Sequence, residues 1–242
     1  MKSIWIITRR ELASFFDSLM AYVIIITFLG LSGFFTWLFG NNIFLINQAD
    51  LRVFFGISFW TLFIFIPAIT MRTLAEETKT GTIELLSTKP ISDWEIVIGK
   101  FLSSLLLIVV ALGCTLPYYF TVSYLGPIDH GSVIGGYMGL IFMSAAYISI
   151  GLFASSSTNN QVVAFLLALF IGIFFQILFD ILAANFTGTS GNIFDFLSVR
   201  SHFDSMSRGV VDSRDLIYFL SIIFLGLLFS KTMLSKRNWQ SN

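Results

Sequence analysis

The chain has 242 residues, of which 56% are hydrophobic and only 12% charged, with a mean hydropathy of +0.85 and a formal net charge of zero. A soluble domain carries roughly 25% charged residues, so this composition points to a membrane protein, and the absent net charge leaves no bulk field to attract nucleic acid. Cys114 is the only cysteine, which excludes an internal disulfide and any multi-cysteine metal site. The two histidines, His130 and His202, both lie outside the apolar runs.

The first element is amphipathic. Over residues 4–19, Ile4, Trp5, Leu12, Phe15, Phe16 and Leu19 share a helical stripe, while Arg9, Arg10, Glu11, Ser14 and Asp17 face elsewhere. That pattern predicts a helix lying in the membrane interface over 1–18, with a frayed tail as the alternative. Apolar runs then follow at 19–40, 54–71, 101–125, 132–154, 161–183 and 215–233. Each approaches the length of about 20 residues that a bilayer-spanning helix needs, and none has a Lys or Arg in its central part. The first lacks a small-residue cleavage site, so it reads as a retained helix rather than a signal peptide. Pro67 and Pro117 are expected to kink spans two and three, and Cys114 is expected to be a buried, inert thiol. In span four, Gly135 and Gly139 are followed by Ser144, Ala145, Ser149 and Gly151, small residues that permit close helix packing. Residues 126–131 and 155–160 read as tight turns. The longer stretch 184–214 mixes aromatic and charged residues, as a short helix half-embedded at the outer surface would, or an ordinary loop.

Basic residues set the expected orientation. With the N-terminus inside, Lys2, Arg9, Arg10, Arg72, Lys79, Lys89, Lys100, Lys231, Lys236 and Arg237 are cytoplasmic, against Arg52, Arg200, Arg208 and Arg214 outside. Ten against four places both termini in the cytoplasm, with 234–242 as a cytoplasmic tail. The expected architecture is an all-α polytopic membrane protein in which residues 1–242 form one transmembrane domain. It comprises an interfacial helix, spans one and two (19–71), a cytoplasmic loop (72–100), spans three to five (101–183), the outer loop and span six.

The 72–100 loop is the most informative segment. Gly81 breaks the helix descending from span two, Thr82 to Ser87 can form a short helix, and Pro90 stops it. Ser92 and Glu95 then stand in capping-box spacing, with Ile91 and Ile96 in hydrophobic-staple spacing, so a new helix starts at Ser92 and climbs into span three. Leu85 and Leu86 have neither lipid nor an evident core to enter. They suggest a docking surface for a second protein, the alternative being a compact loop packed on its own helices.

The string Arg72-x-x-Ala75-Glu76-Glu77-x-x-x-Gly81-Thr82-x-Glu84-Leu85-Leu86-x-x-x-Pro90, followed by Gly99-Lys100, resembles the ABC-2 class of ABC-transporter permeases, and especially the gliding-motility-associated permeases of Bacteroidetes bacteria. Arg9-Arg10-Glu11-Leu12 with Phe15 is similar to that family's N-terminal elbow helix, and with Trp5 of the apolar stripe the candidate interfacial residues are Trp5, Arg9, Arg10 and Phe15. One departure is that Ser18 precedes Leu19, where relatives often have proline. The resemblance implies an elbow helix, six spans and a cytoplasmic coupling helix between the second and third. It implies a subunit of the bacterial inner membrane that does no chemistry and pairs with a second permease subunit, as homodimer or heterodimer. A separate cytoplasmic ATPase would bind ATP and Mg, and the segment 82–88 would sit in a groove on it. Glu76, Glu77, Gly81, Thr82, Glu84, Leu85, Leu86 and Pro90 would then form the ATPase-coupling site. Independently of the family, the only Gly-Lys pair, Gly99-Lys100, lacks the Gly and the Ser or Thr of a phosphate loop, since Trp94 and Phe101 occupy those positions. No cofactor of the chain's own is expected.

Two other functions deserve comparison. Glu76-Glu77 is the paired acid of some intramembrane proteases, but Gly81 stands where that pattern wants arginine, and no histidine lies within a span. Gln176 and Asp180, one turn apart in span five, could couple ions in a secondary transporter. Asp180 lies near the span's outer end, however, and no convincing internal repeat is present.

Overall fold

The computed structural model describes residues 2–39, 50–81 and 91–240, and side chains within those ranges from Ser3 to Lys236. Among the described residues all regular structure is helical, and six stretches are long and apolar enough to cross a membrane: Met20–Trp37, Arg52–Lys79, Asp93–Leu125, His130–Ser156, Gln161–Asn185 and Ser213–Lys236. Helix α1 (Lys2–Asp17) precedes the first span, α2 (Met20–Trp37). The second span is α3 (Arg52–Thr70), continued through a turn into the short α4 (Ala75–Lys79). The third divides into α5 (Asp93–Gly113) and α6 (Leu116–Leu125), and the fourth is α7 (His130–Ser156).

Helix α8 (Gln161–Ile173) passes through a π-helical turn at Phe174–Leu178 into α9 (Phe179–Asn185), which completes span five. Two short helices, α10 (Thr189–Leu197) and α11 (Val199–Ser207), form a hairpin before the last span, α12 (Ser213–Gln240). The outer stretch is thus a pair of helices, where composition alone left one helix or a loop.

Local chemistry explains several boundaries. Ser92 accepts from the Glu95 amide and the Glu95 carboxylate accepts from the Ser92 amide, completing the capping box that starts α5. Asp129 caps α7 through the amides of Gly131 and Ser132. Proline behaves differently at its two positions. Pro67 is tolerated inside α3, whereas near Pro117 the third span breaks at Cys114 and Thr115, and the proline falls in the first turn of a new helix, where its missing N–H costs least. That break leaves Cys114 exposed on the bundle surface, correcting the expectation of a buried thiol. Leu19, between α1 and α2, takes a left-handed φ of 58°, uncommon for a residue with a side chain.

Helix α7 is the central element, packing against α3, α5, α8, α11 and α12. Its small residues make this possible. A methyl group at Gly135 would overlap the Met206 carbonyl of α11, and one at Gly139 would lie 3.0 Å from the Phe203 ring. Gly135 and Gly139 therefore seat α11 on span four within one chain, while Gly151 admits Thr70 of span two and Ser149 meets Gly226 of span six. Spans one, five and six are mostly outward-facing, as lipid-contacting helices are. Span five buries one polar node, in which the fully buried Tyr147 hydroxyl donates to Gln176 Oε1 at the π-turn.

Candidate functional site

Two turns into α5, Lys100 is only 1% exposed, an expensive position for a cation unless it is paired. Its Nζ lies 2.8 Å from Glu77 Oε1 of α4 and 3.3 Å from Glu11 Oε2 of α1. Arg10 completes the group, with Nη2 2.6 Å from Glu11 Oε1 and 3.6 Å from Glu77 Oε1. Two cations face two carboxylates, so the cluster is neutral as a unit. Burial works against the charge on Glu11, but Lys100 and Arg10 outweigh it and hold its carboxyl below the ordinary value. The hydrogen bond to Glu11 in turn raises the Arg10 guanidinium.

The residue before the lysine lets α1 reach this position. A Cβ at Gly99 would stand 2.6 Å from Ile7 Cγ2, so only glycine admits α1 at this separation, and Thr8 Oγ1 donates across the contact to the Gly99 carbonyl at 3.2 Å. One turn further along α1, Glu11 meets Lys100, the residue after Gly99. The packed face of α1 is Ile4, Ile7, Thr8, Glu11, Leu12 and Phe15, at a clean period of 3.6. Glu11, read from sequence as facing away from the apolar stripe, thus belongs to the packed face, while Trp5, 62% exposed, and Leu19, also exposed, lie outside it.

Glu77 is positioned by the turn that joins α3 to α4. Ser155, at the end of α7, accepts from the Leu74 and Ala75 amides at 3.1 and 3.0 Å and donates to the Met71 carbonyl at 3.1 Å. One hydroxyl thus satisfies three turn groups and ties span two to span four. The tandem glutamates then diverge. Glu76 pairs with Arg72 at 2.9 Å, while Glu77 meets Lys100 and Arg10. Their separation leaves no glutamate dyad of the kind a protease would need.

Among the other residues singled out from sequence, Phe15 is buried and Arg9 is exposed. Gly81 takes a φ of +71° at the end of α4, a turn conformation that favours glycine. Thr82, Glu84, Leu85, Leu86 and Pro90, with the short helix expected at 82–88, lie outside the described residues. Their flanks are described, and the Glu77–Lys100 contact joins them directly. Beside Lys79, a polar recess of about 770 Å³ runs along the turn between spans four and five, over Ser157 to Val162. Among the described residues, no group of three or more His, Cys, Asp or Glu side chains could hold a metal ion.

From the sequence Lys100 was legible as a cytoplasmic basic residue and the end of a motif but not as the centre of a buried cluster, and Glu11 was assigned to the wrong face. The available signal was a lysine standing at the head of an apolar run, directly after a glycine.

A family profile described as ABC-2 family transporter protein matches residues 44–217, well over half of the chain. The chain belongs to the ABC-2 transporter family. The match takes in Glu77, Lys100, the central α7 and the α10–α11 hairpin, and leaves α1 outside it. The protein is therefore a multi-pass membrane component of an ABC transporter, a permease subunit. Comparison with curated proteins gives no match.

Proposed function

We propose that this ABC-2 permease couples ATP hydrolysis by a separate cytoplasmic ATPase to export, or to mechanical work, across the bacterial inner membrane. The end of the bundle bearing α1 and residues 72–100 faces the cytoplasm, with both termini on that side, in keeping with the ten-to-four distribution of basic residues. Residues 82–88 dock on the ATPase and α1 lies as an elbow in the membrane interface. A second permease subunit, identical or related, completes the pathway. ATP and Mg belong to the partner. The link to gliding motility is part of this reading and rests on the resemblance of residues 72–100.

The observation that carries the proposal is the ion cluster. Residues 82–90 leave from α4 and return into α5, and both flanks are locked by Glu77 and Lys100 to each other and to Glu11 of α1. Displacement of the loop by a partner is therefore passed to spans two and three and to α1 together, instead of being absorbed in the loop. Coupling through an ion site in span five is less well supported. Asp180 is engaged 3.3 Å from Arg200 of the hairpin, a pairing that favours a structural role.

Topology gives the first test. With Cys114 replaced, single cysteines at position 87 and at position 190 should label from opposite sides of the membrane. Labelling of both from one face would overturn the arrangement.

A further inference from the structure

At the opposite end of the bundle, the α10–α11 hairpin is fastened to span six by a buried side chain that the coupling reading does not use. His202 of α11 is 6% exposed and Asp215, in the first turn of α12, is 5% exposed. Both ring nitrogens of His202 have a partner: Nδ1 lies 2.6 Å from Asp215 Oδ1, and Nε2 lies 2.9 Å from the carbonyl oxygen of Phe196. The ring stacks on Tyr218 with centroids 4.0 Å apart. The Tyr218 hydroxyl donates to the Leu197 carbonyl at 2.6 Å, so the end of α10 is held at two adjacent carbonyls, one by His202 of α11 and one by Tyr218 of span six.

The proton count follows from these partners. A carbonyl oxygen can only accept, so Nε2 must carry a hydrogen. The Nδ1–Oδ1 contact also needs one, and the first turn of α12 favours a carboxylate at Asp215. With Asp215 as a carboxylate, the ring that keeps both contacts is an imidazolium, donating from both nitrogens. A neutral imidazole has one N–H and can keep only one of the two contacts. A charge-assisted bond to a carboxylate is stronger than one to a neutral carbonyl, so the ring that loses a proton keeps Asp215 and releases Phe196.

We infer that His202 is a positioning residue that ties the end of α10 to Asp215 of span six only while its imidazole is protonated, so that the end of α10 loosens as pH rises while the contact with Asp215 remains. Other charges face the pair. Asp195 of α10, Asp204 and Arg208 of α11, Asp212 of the connection and Arg214 of α12 line a polar cavity of about 600 Å³ beside it. Arg200 faces Asp204 and Asp180, and α7 offers α11 glycine, apolar surface and the Ser132 hydroxyl, which donates to the Ser207 carbonyl at 2.7 Å. The proposal goes beyond the coupling function and needs only the packing at this end.

The chain's two histidines make the test direct. The full chain, carrying His130→Gln and labelled with 15N-histidine, is placed in lipid nanodiscs, which leaves one ring to observe. From about pH 5 to about pH 8 that ring should pass from two N–H groups to one, losing the proton on Nε2. Over the same range, amide-exchange protection across residues 189–199, corrected for intrinsic exchange, should fall roughly three- to tenfold. His202→Gln, whose amide does not titrate, should remove the pH dependence, and Asp215→Asn should lower protection already at the acid end. A ring with a single N–H at pH 5 would overturn the inference. So would a ring that titrates without any loss of protection, or a His202→Gln protein that keeps the wild-type pH response.

Discussion

The two ends of the bundle solve one problem with different chemistry. Each fastens a short helix to a span through buried charge: α1 to α5 through Lys100, and the hairpin to α12 through His202 and Asp215. Lysine and arginine keep their charge throughout the ordinary pH range, so the α1 cluster depends only on its carboxylates staying ionised. Histidine changes charge near neutrality. The α1 end is thus held by groups that keep their charge over the ordinary pH range, whereas the end of α10 is held through a residue of the type that changes charge near neutrality. Geometry follows the same division, since α1 is brought close over the side chain of Ile7 and the hairpin over the backbone of Met206.

The contrast is broken most severely by removing the lysine. Lys100→Met leaves Glu11 and Glu77 facing each other half-desolvated, and about 3 kcal/mol of stability should be lost. Thermal unfolding in detergent measures this, and adding Glu11→Gln and Glu77→Gln should recover part of the loss. An undiminished melting midpoint for Lys100→Met would show that the cluster is not a fastening.

The glycines sharpen the comparison. Gly135→Ala meets a backbone carbonyl that cannot move alone, whereas Gly99→Ala meets a side chain. Both should destabilise by about 1–3 kcal/mol, Gly135→Ala the more, read from the same melts. Ser155→Ala strips a partner from two buried amides and should cost about 1–2 kcal/mol. Arg10, whose side chain is 52% exposed, is the weakest member of its cluster, and Arg10→Ala should cost less than about 1 kcal/mol.

Acid provides the remaining contrast. The Glu11 carboxyl is held below its ordinary value of 4.5, so the stability it contributes is present above that pH and is lost as pH falls further. Amide-exchange protection of α1 should therefore weaken on acidification below about pH 4.5, in the opposite sense to the hairpin.

What was legible in the sequence was whatever depends on neighbours along the chain. Hydropathy located the six spans, Ser92 and Glu95 announced the start of α5, and Arg72 and Glu76 paired at the helical spacing expected of them. What escaped depends on partners far away in sequence. Glu11 looked like a solvent-facing acid because its cation is 89 residues further on, and its inward turn rotates the packed face of α1 away from Trp5. His202 and Asp215 are separated by a helix end and a connection, and neither belongs to a motif. Near Pro117, composition could show that the helix would be disturbed, but only packing decided that it would break and expose Cys114.

The central claim is that residues 82–88 carry the contact with a cytoplasmic ATPase, and co-purification of that ATPase with a Leu86→Asp chain tests it most directly. A hydrophobic anchor in a partner groove is worth about 2 kcal/mol, or roughly thirtyfold in affinity, and a buried unpaired carboxylate weakens binding further. The Leu86→Asp chain should lose the ATPase while eluting from gel filtration as the wild type does, and Glu84→Ala should lose far less, as a charge at the rim of an interface would. A folded Leu86→Asp chain that retains the ATPase at wild-type stoichiometry, with its hydrolysis still coupled, would contradict the account.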